Sequence, residues 1–275
     1  TTQPPAGPCG PTVSSPPSAW PAPWLTTVPA PMTARPALTS APARKALGQH
    51  FLFDPDILKR TTLAAGPVEG RTVIEVGPGP GGLTRALLDE GAARVIAVEA
   101  DTRFADALAA WPAAASGQLH ILQADARRVH WEALIKDAGG TAPAMIIANL
   151  PYNVGTPLLV DWLKAGPWRG EMALMFQKEV AERICAVPGS SHYGRLAVLA
   201  QAVTATHLAF TLPPGAFNPP PKVDSAVAVL TPLSDTDRFD DLATLEALTS
   251  AAFGPRRKML RASLKSFAKT RDLDL

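Results

Sequence analysis

Cysteine is scarce in this chain. Its 275 residues include only Cys9 and Cys185, too few for a disulfide framework or a Cys-rich zinc site. His120, His130, His192 and His207 are scattered without metal-ligand spacing, so no metal is expected. No uninterrupted apolar run reaches the ~18–20 residues that a membrane-spanning helix needs, so a helical membrane protein is not expected. Charge of one sign is also lacking. The formal net charge of +2 says nothing by itself about a nucleic-acid partner. What the chain does have is 47% hydrophobic and 18% charged residues, the balance of a globular protein and not of a disordered one.

The first 42 residues differ from the rest. They hold 12 of the 29 prolines and carry no charge before Arg35. Such a Pro/Ala/Thr/Ser segment cannot bury enough apolar surface to offset its ordering entropy, so 1–42 reads as a disordered tail. With only Arg35 and Arg44 it is a poor transit peptide. A Pro-rich interaction tail is a second reading, and a start of translation at Met32 is the one favoured. From Thr72 onward the pattern becomes α/β. The runs Thr72–Val76, Arg94–Val98, Leu119–Leu122, Met145–Ala148 and Met172–Phe176 are short, flat and bounded by turn residues, as buried parallel strands should be. Helical stretches such as Leu83–Glu90 and Thr102–Trp111 lie between them. The alternation predicts a doubly wound parallel sheet, extended by the apolar runs Arg195–Phe210 and Ser225–Leu230. After Asp235 the pattern turns helical, with candidates at Leu242–Phe253 and Arg257–Phe267.

The first strand runs into Glu75-Val76-Gly77-Pro78-Gly79-Pro80-Gly81-Gly82-Leu83-Thr84, which opens a helix. Glycines such as Gly77 and Gly79 at this turn let the backbone pass close to a ligand. Glu99, at the end of the second strand about 20 residues on, sits where an acid can hold ribose hydroxyls. Asp125, after the third strand, suits a hydrogen bond to an adenine amino group. Each residue alone is also what a plain strand-ending turn would contain. Three of them at the carboxyl ends of three successive strands mark the edge where open α/β sheets bind ligands. A nicotinamide dinucleotide and S-adenosylmethionine both fit there.

The fourth strand ends in Asn149-Leu150-Pro151-Tyr152-Asn153. The amine of adenine is a poor nucleophile because its lone pair is delocalised into the ring. The Asn149 side-chain oxygen and the Leu150 carbonyl can accept its two hydrogens and draw the nitrogen towards tetrahedral geometry. Pro151 shapes the turn, and Tyr152 can stack on the base. The amine can then attack a sulfonium methyl in line, with positioning and electrostatics supplying the catalysis. A base inside structured RNA must be swung out to reach such a pocket. Asn, Pro and Tyr are also ordinary residues at a strand exit, and it is the combination with the glycine loop that favours methyl transfer. Nothing supplies the Tyr/Lys pair or His that hydride transfer would use.

The chain resembles the ribosomal RNA adenine N6,N6-dimethyltransferase family, in particular its small-subunit (16S) branch linked to kasugamycin sensitivity. The match runs from about Arg44 to about Phe267. Besides the segments above it includes Leu47-Gly48-Gln49-His50-Phe51-Leu52, Phe176-Gln177-Lys178-Glu179-Val180, Tyr193-Gly194-Arg195-Leu196, Phe217-Asn218-Pro219-Pro220-Pro221-Lys222-Val223-Asp224-Ser225 and Phe253-Gly254-Pro255-Arg256-Arg257-Lys258. The resemblance implies an α/β fold: a Rossmann-like S-adenosylmethionine-dependent methyltransferase sheet over 43–233, with a small C-terminal helical domain over 234–275. It implies that His50, Leu52, Gly77, Gly79, Glu99, Asp125 and Asn149 contact S-adenosyl-L-methionine. It implies that Asn149, Leu150, Pro151 and Tyr152 hold the target amine, with Phe217 sandwiching the base against Tyr152. The substrate implied is a pair of adjacent adenosines in a hairpin loop near the 3′ end of small-subunit RNA, each receiving two methyls. His50 stands where many members carry Asn. Members also continue past the Lys265-Ser266-Phe267 region with a further helical segment, so the helical domain is expected to be truncated here.

Basic residues concentrate near the C-terminus. Arg256, Arg257, Lys258, Arg261, Lys265, Lys269 and Arg271 span a stretch without an acid, and the four-residue spacing of 257, 261 and 265 gives one helical face able to track phosphates. A solvated face would look the same. Arg195 and Lys222 join these as RNA-binding candidates, with Arg127-Arg128 and Arg44-Lys45 as secondary ones. The expected partner is the immature 30S subunit, the expected location the cytoplasm, and the expected state a monomer. A large-subunit resistance methyltransferase is the runner-up, set back by Leu150 and by Pro219-Pro220-Pro221-Lys222. A mainly non-catalytic assembly factor is the alternative from another class.

Overall fold

The computed structural model describes residues 49–254 and 259–271. The Pro-rich segment 1–42, the Arg44-Lys45 pair and the Arg256-Arg257-Lys258 run lie outside the described residues.

Seven strands form the main sheet: β2 (Thr72–Val76), β3 (Arg94–Glu99), β4 (Leu119–Gln123), β5 (Ala144–Asn149), β6 (Arg169–Gln177), β7 (Thr204–Leu212) and β9 (Ser225–Pro232). Their order is β4-β3-β2-β5-β6-β9-β7. From β4 to β6 all neighbours are parallel, while β9 runs antiparallel to both β6 and β7. The sheet is therefore mixed and not wholly parallel as the sequence pattern suggested. Parallel neighbours need a crossover helix between them, and the segment from β7 to β9 carries none, so these two strands return antiparallel. A separate pair, β1 (Phe51–Leu52) and β8 (Phe217–Asn218), aligns Leu52 with Phe217.

Side chains alternate across each strand, so the sheet feeds two cores. Ile74, Ile96, Ile146 and Leu174 face one cluster. It is covered by α5 (Trp131–Asp137), α6 (Gly155–Leu163), α7 (Lys178–Ile184) and α8 (Arg195–Gln201). Val73, Val95, Met145 and Ile147 face the other. That face is covered by α1 (Pro55–Leu63), α2 (Gly82–Asp89), α3 (Thr102–Ala109) and α4 (Pro112–Ala115). Asp54 starts α1 by accepting hydrogen bonds from the Asp56 and Ile57 amides, at 2.9 and 3.1 Å, which satisfies two otherwise orphaned donors.

The run 195–210, read above as one extended segment, divides. Its first part is α8 and only the second is β7. Leu196, Ala197, Leu199 and Ala200 are buried, a spacing that closes one helical face and that an unbroken apolar run also contains. Beyond the sheet, α9 (Leu242–Phe253) falls at the expected residues, and α10 (Leu260–Lys269) begins three residues later than expected. Glu246 on α9 ties back to the main body. It accepts from the Arg195 guanidinium at 2.6 Å and pairs with Lys164 at the end of α6.

Gly81 precedes α2 with φ +90°, and a Cβ there would lie 2.6 Å from the Trp111 ring and 2.8 Å from Leu108. Both neighbours are buried and cannot swing away. Gly81→Ala is expected to lower stability by about 2–4 kcal/mol, combining left-handed strain with overpacking, read as a fall in the urea midpoint at unchanged slope.

Candidate active site

The carboxyl ends of β2, β3 and β5 and the turn after β4 surround a cavity of about 350 Å³. Parallel neighbours in register bring these ends to one edge of the sheet. Three glycines shape the β2 exit, with Gly77, Gly79 and Gly81 at φ +72°, +53° and +90°. At Gly79 the requirement is also steric, since a Cβ would come within 2.8 Å of the Phe51 ring.

Glu99 ends β3 and is 4% exposed. Its Oε2 accepts from the Gly79 amide at 3.0 Å and its Oε1 from the Asp101 amide at 2.8 Å. The carboxylate thus clips the glycine loop to the neighbouring strand end while still facing the cavity. Burial raises its pKa, against these backbone hydrogen bonds, which lower it. Asp125, which lines the cavity, caps the 3-10 turn Ala126–Arg128. It accepts from the Arg127 amide at 3.0 Å and from the Arg127 guanidinium at 2.6 Å. The hydrogen bonds from the Arg127 side chain and amide, helped by its charge, hold the Asp125 carboxyl down at about 2. Arg127, a secondary RNA candidate in the sequence, therefore pairs with the acid expected to take an adenine amine, while its side chain stays more than half exposed.

Asn149 closes β5. Its side-chain Nδ2 donates to the His50 carbonyl at 2.9 Å, a bond that assigns the amide orientation and leaves Oδ1 as a free-standing acceptor. Pro151 then turns the chain, its carbonyl accepting from the Val154 and Gly155 amides at 3.1 and 3.0 Å. Leu150 is buried at 2% exposure, so its side chain anchors the turn in the core. The Tyr152 hydroxyl shares a 2.7 Å hydrogen bond with Ser225 Oγ, and burial raises its pKa.

His50 and Leu52 reach the cavity from β1 and the residues before it. The His50 ring lies over Tyr152, with centroids 5.5 Å apart and planes 29° apart. Its Nδ1 lies 2.8 Å from the Pro219 carbonyl. A carbonyl only accepts, so Nδ1 carries the proton. Phe217 does not line this cavity. It is 5% exposed and packs with Leu52, Met175 and Leu212 beneath the β1–β8 pair, because its register opposite Leu52 points it inward.

The RNA candidates separate. Arg195 pairs with Glu246, so its charge ties helices together, and Lys222 is exposed beyond β8. Arg261 and Lys265 are exposed and one turn apart on α10, while Arg256, Arg257 and Lys258 lie outside the described residues. Among the described residues no helix is long and apolar enough to cross a membrane.

Two residues that sequence reasoning had not singled out belong to this region. Ser225 is fully buried and holds the Tyr152 hydroxyl. Glu75 lines the cavity floor and is 1% exposed, and Thr84 Oγ1 donates to its Oε2 at 2.6 Å. An acid interrupting the apolar strand Thr72–Val76 was the available signal for Glu75. For Ser225 there was none, since its partner lies 73 residues away.

A parallel sheet with a glycine turn at its first strand exit, an acid at its second, and a polar-proline-aromatic exit at its fourth defines an S-adenosylmethionine-dependent methyltransferase. The comparisons narrow this. The family model of ribosomal RNA adenine dimethylase matches residues 41–275. The chain is 54% identical over 227 residues to the ribosomal RNA small subunit methyltransferase A of Agrobacterium fabrum, covering 82% of this chain and 81% of that one. To the protein of the same name from Gluconobacter oxydans it is 51% identical over 240 residues, covering 84% and 75%. Among solved structures, a dimethyladenosine transferase from Plasmodium falciparum superposes with a TM-score of 0.62 at 27% identity, covering 82% of this chain and 83% of that one. The 23S rRNA methyltransferase ErmE shares the fold at a TM-score of 0.62 and 24% identity, covering 82% and 91%. The chain belongs to the ribosomal RNA adenine dimethylase family.

Glu75 makes the site's pH dependence readable. Burial, opposed by the Thr84 hydrogen bond and reinforced by the Glu99 charge, lifts its pKa from the ordinary 4.5 to about 8. Between those values the unfolded chain has released a proton that the folded chain keeps, so stability falls as pH rises from about 4.5 to about 8 and is level above that. Glu75→Gln mimics the neutral acid. Its urea midpoint is expected to lack this slope and, at pH 8, to equal or exceed that of the wild type.

Proposed function

We propose that this chain dimethylates N6 of two adjacent adenosines in a hairpin loop near the 3′ end of 16S ribosomal RNA, acting as a monomer on the immature small subunit in the cytoplasm. The observation that carries the reading is the Asn149 amide, whose Nδ2 is committed to the His50 carbonyl at 2.9 Å and whose Oδ1 is thereby turned to accept. The relatives named small subunit methyltransferase A support the choice of the 16S molecule.

The residues present fit the methyl donor. Gly77 and Gly79 leave a cradle that a Cβ at position 79 would close against Phe51. Glu99 keeps lone pairs for ribose hydroxyls beyond the two it uses on Gly79 and Asp101. Asp125 offers a carboxylate for the adenine amine at a site it shares with Arg127. His50, Leu52 and Asn149 close the remaining wall. S-Adenosylmethionine supplies an electrophilic methyl on a sulfonium.

The protein's own part is to make the target nitrogen nucleophilic. Asn149 Oδ1 and the Leu150 carbonyl accept its two N–H groups, which withdraws the lone pair from the ring. The Pro151 turn fixes the spacing of those two acceptors, and the Tyr152 ring supports the base, its hydroxyl anchored on Ser225. Such fixed dipoles act without reorganising at the moment of reaction. Lys222, Arg261 and Lys265, together with Arg256, Arg257 and Lys258, would contact the RNA backbone, with residues 234–275 as the docking module.

Undermethylated 30S subunits and labelled S-adenosylmethionine test this. Dimethyladenosine is expected in the small-subunit RNA. Asn149→Ala should lower the rate by about 10²–10³-fold, as for other lost transition-state hydrogen bonds, while Tyr152→Phe, which keeps the ring, should cost far less. Label on large-subunit RNA, or an unimpaired Asn149→Ala, would overturn the reading.

A further inference from the structure

The opposite rim of the sheet, at the amino end of β6, holds a buried cation that methyl transfer does not use. Arg169 opens β6 and pairs in register with Ala144 at the start of β5. The far end of β5, at Asn149, is the one that lines the cavity. From Ala144 to Ile146 strand β5 takes two steps, while β6 takes three from Arg169 to Met172. A bulge of this kind re-aims a side chain at a strand end. Arg169 is 7% exposed, which is rare for a guanidinium unless an anion pairs with it. Its Nε and Nη1 are enclosed and meet no hydrogen-bond partner among the described residues.

A second arginine lies beside it. Met172 pairs with Leu230 in the antiparallel β6–β9 ladder, which brings the start of β6 level with the loop after β9. Two hydrogen bonds close that loop onto the end of α8: the Leu233 amide donates to the Val203 carbonyl at 3.0 Å, and the Phe239 amide to the Ala202 carbonyl at 2.7 Å. The loop carries Arg238, whose Nε is likewise enclosed without a partner among the described residues. Burial, and then the charge of Arg238, lower the Arg169 pKa to about 10, so Arg169 stays charged at neutral pH. Acids nearby are committed elsewhere. Glu171 accepts from Arg71 at 2.7 Å, and Asp237 accepts from Ser234 Oγ at 2.6 Å. Asp235 is fully exposed and comes no nearer than 3.9 Å to Arg238 Nη1. Like charges and idle donors enclosed together are costly unless an anion joins them.

We propose that Arg169 and Arg238 form a binding site for a phosphate-type oxyanion, supplied either as a free ion or as one phosphate of an RNA backbone. A tetrahedral oxyanion presents acceptors to two guanidiniums at once, which suits donors that arrive from two separate elements. Arg238, with 32% of its side chain exposed, marks the side from which the ion enters. This site lies at the other end of the strands from the cavity, so it does not rest on the reading of the methyl-transfer centre.

Calorimetric titration of the full chain with inorganic phosphate, at constant ionic strength, tests the proposal. One saturable site is expected. At ten times its dissociation constant, phosphate should raise the thermal midpoint by about 3–6 °C. Arg169→Met, which keeps an unbranched side chain without the charge, should abolish both the binding heat and the shift. Arg238→Gln changes a partly exposed side chain, guards against a folding defect in Arg169→Met, and should weaken phosphate binding by about 10-fold. Methyl transfer to undermethylated 30S subunits then separates the two sources. If an RNA phosphate fills the site, Arg169→Met raises the KM for the subunit and inorganic phosphate competes with the subunit in the wild type. If a free ion fills it, Arg169→Met leaves that KM unchanged. The proposal is overturned if the wild type shows no saturable phosphate site. It is equally overturned if folded Arg169→Met or Arg238→Gln binds phosphate as the wild type does.

Discussion

Parallel pairing across β3, β2, β5 and β6 carries four strand exits to one edge of the sheet, and Glu75, Glu99, Asp125 and Asn149 hang from that edge or from the turn after β4, with His50 reaching in from before β1. The strands are apolar on both faces, with Ile74, Ile96, Val73 and Val95 fully buried, so a slip in register would move core side chains onto the wrong layer. The register is therefore held by packing, and the exits inherit its precision. A site on such a scaffold needs no flexible element to bring its groups together.

Glu99 shows how the edge is wired. One buried carboxylate takes backbone N–H groups from the glycine loop and from the start of its own exit. That ties the β2 and β3 ends together and leaves acceptor capacity pointing into the cavity. Its neighbour Glu75 is more deeply enclosed and has the Thr84 hydroxyl and backbone amide to offset the loss of water. Two acids near each other in a dry floor cannot both carry charge cheaply. The pair is resolved by environment: Glu99 receives the backbone donors, and Glu75 keeps its proton to higher pH.

The reacting side is organised through Asn149, His50 and Tyr152, which come from segments about a hundred residues apart. Asn149 is oriented by a peptide carbonyl of His50, and the His50 ring is held by the Pro219 carbonyl. Tyr152 is held by Ser225 at the start of β9. The antiparallel end of the sheet, which lies outside the parallel exits, thus supports the target-base side of the cavity. Helix α9 is joined to this same half of the molecule through Glu246, Arg195 and Lys164, so the region proposed to dock RNA and the region proposed to receive the base share one frame.

Local chemistry in the sequence determined the parallel strands from Thr72 to Phe176, the glycine turn, the acids at 99 and 125, and the Asn149–Tyr152 exit. Each is a short-range pattern: a flat apolar run, a backbone that must take positive φ, or a polar residue where such a run stops. The resemblance to the family rested on those same short segments. Tertiary structure alone decided what these residues meet. Residues 195–201 became a helix because one apolar run satisfies either period until packing selects a face. Phe217 turned inward because its pairing with Leu52, 165 positions earlier, was invisible to any local reading. Arg127 came to pair with Asp125, and His50 came to lie on Tyr152. All of these outcomes depend on contacts distant in sequence or on side-chain direction, and neither composition nor spacing encodes those.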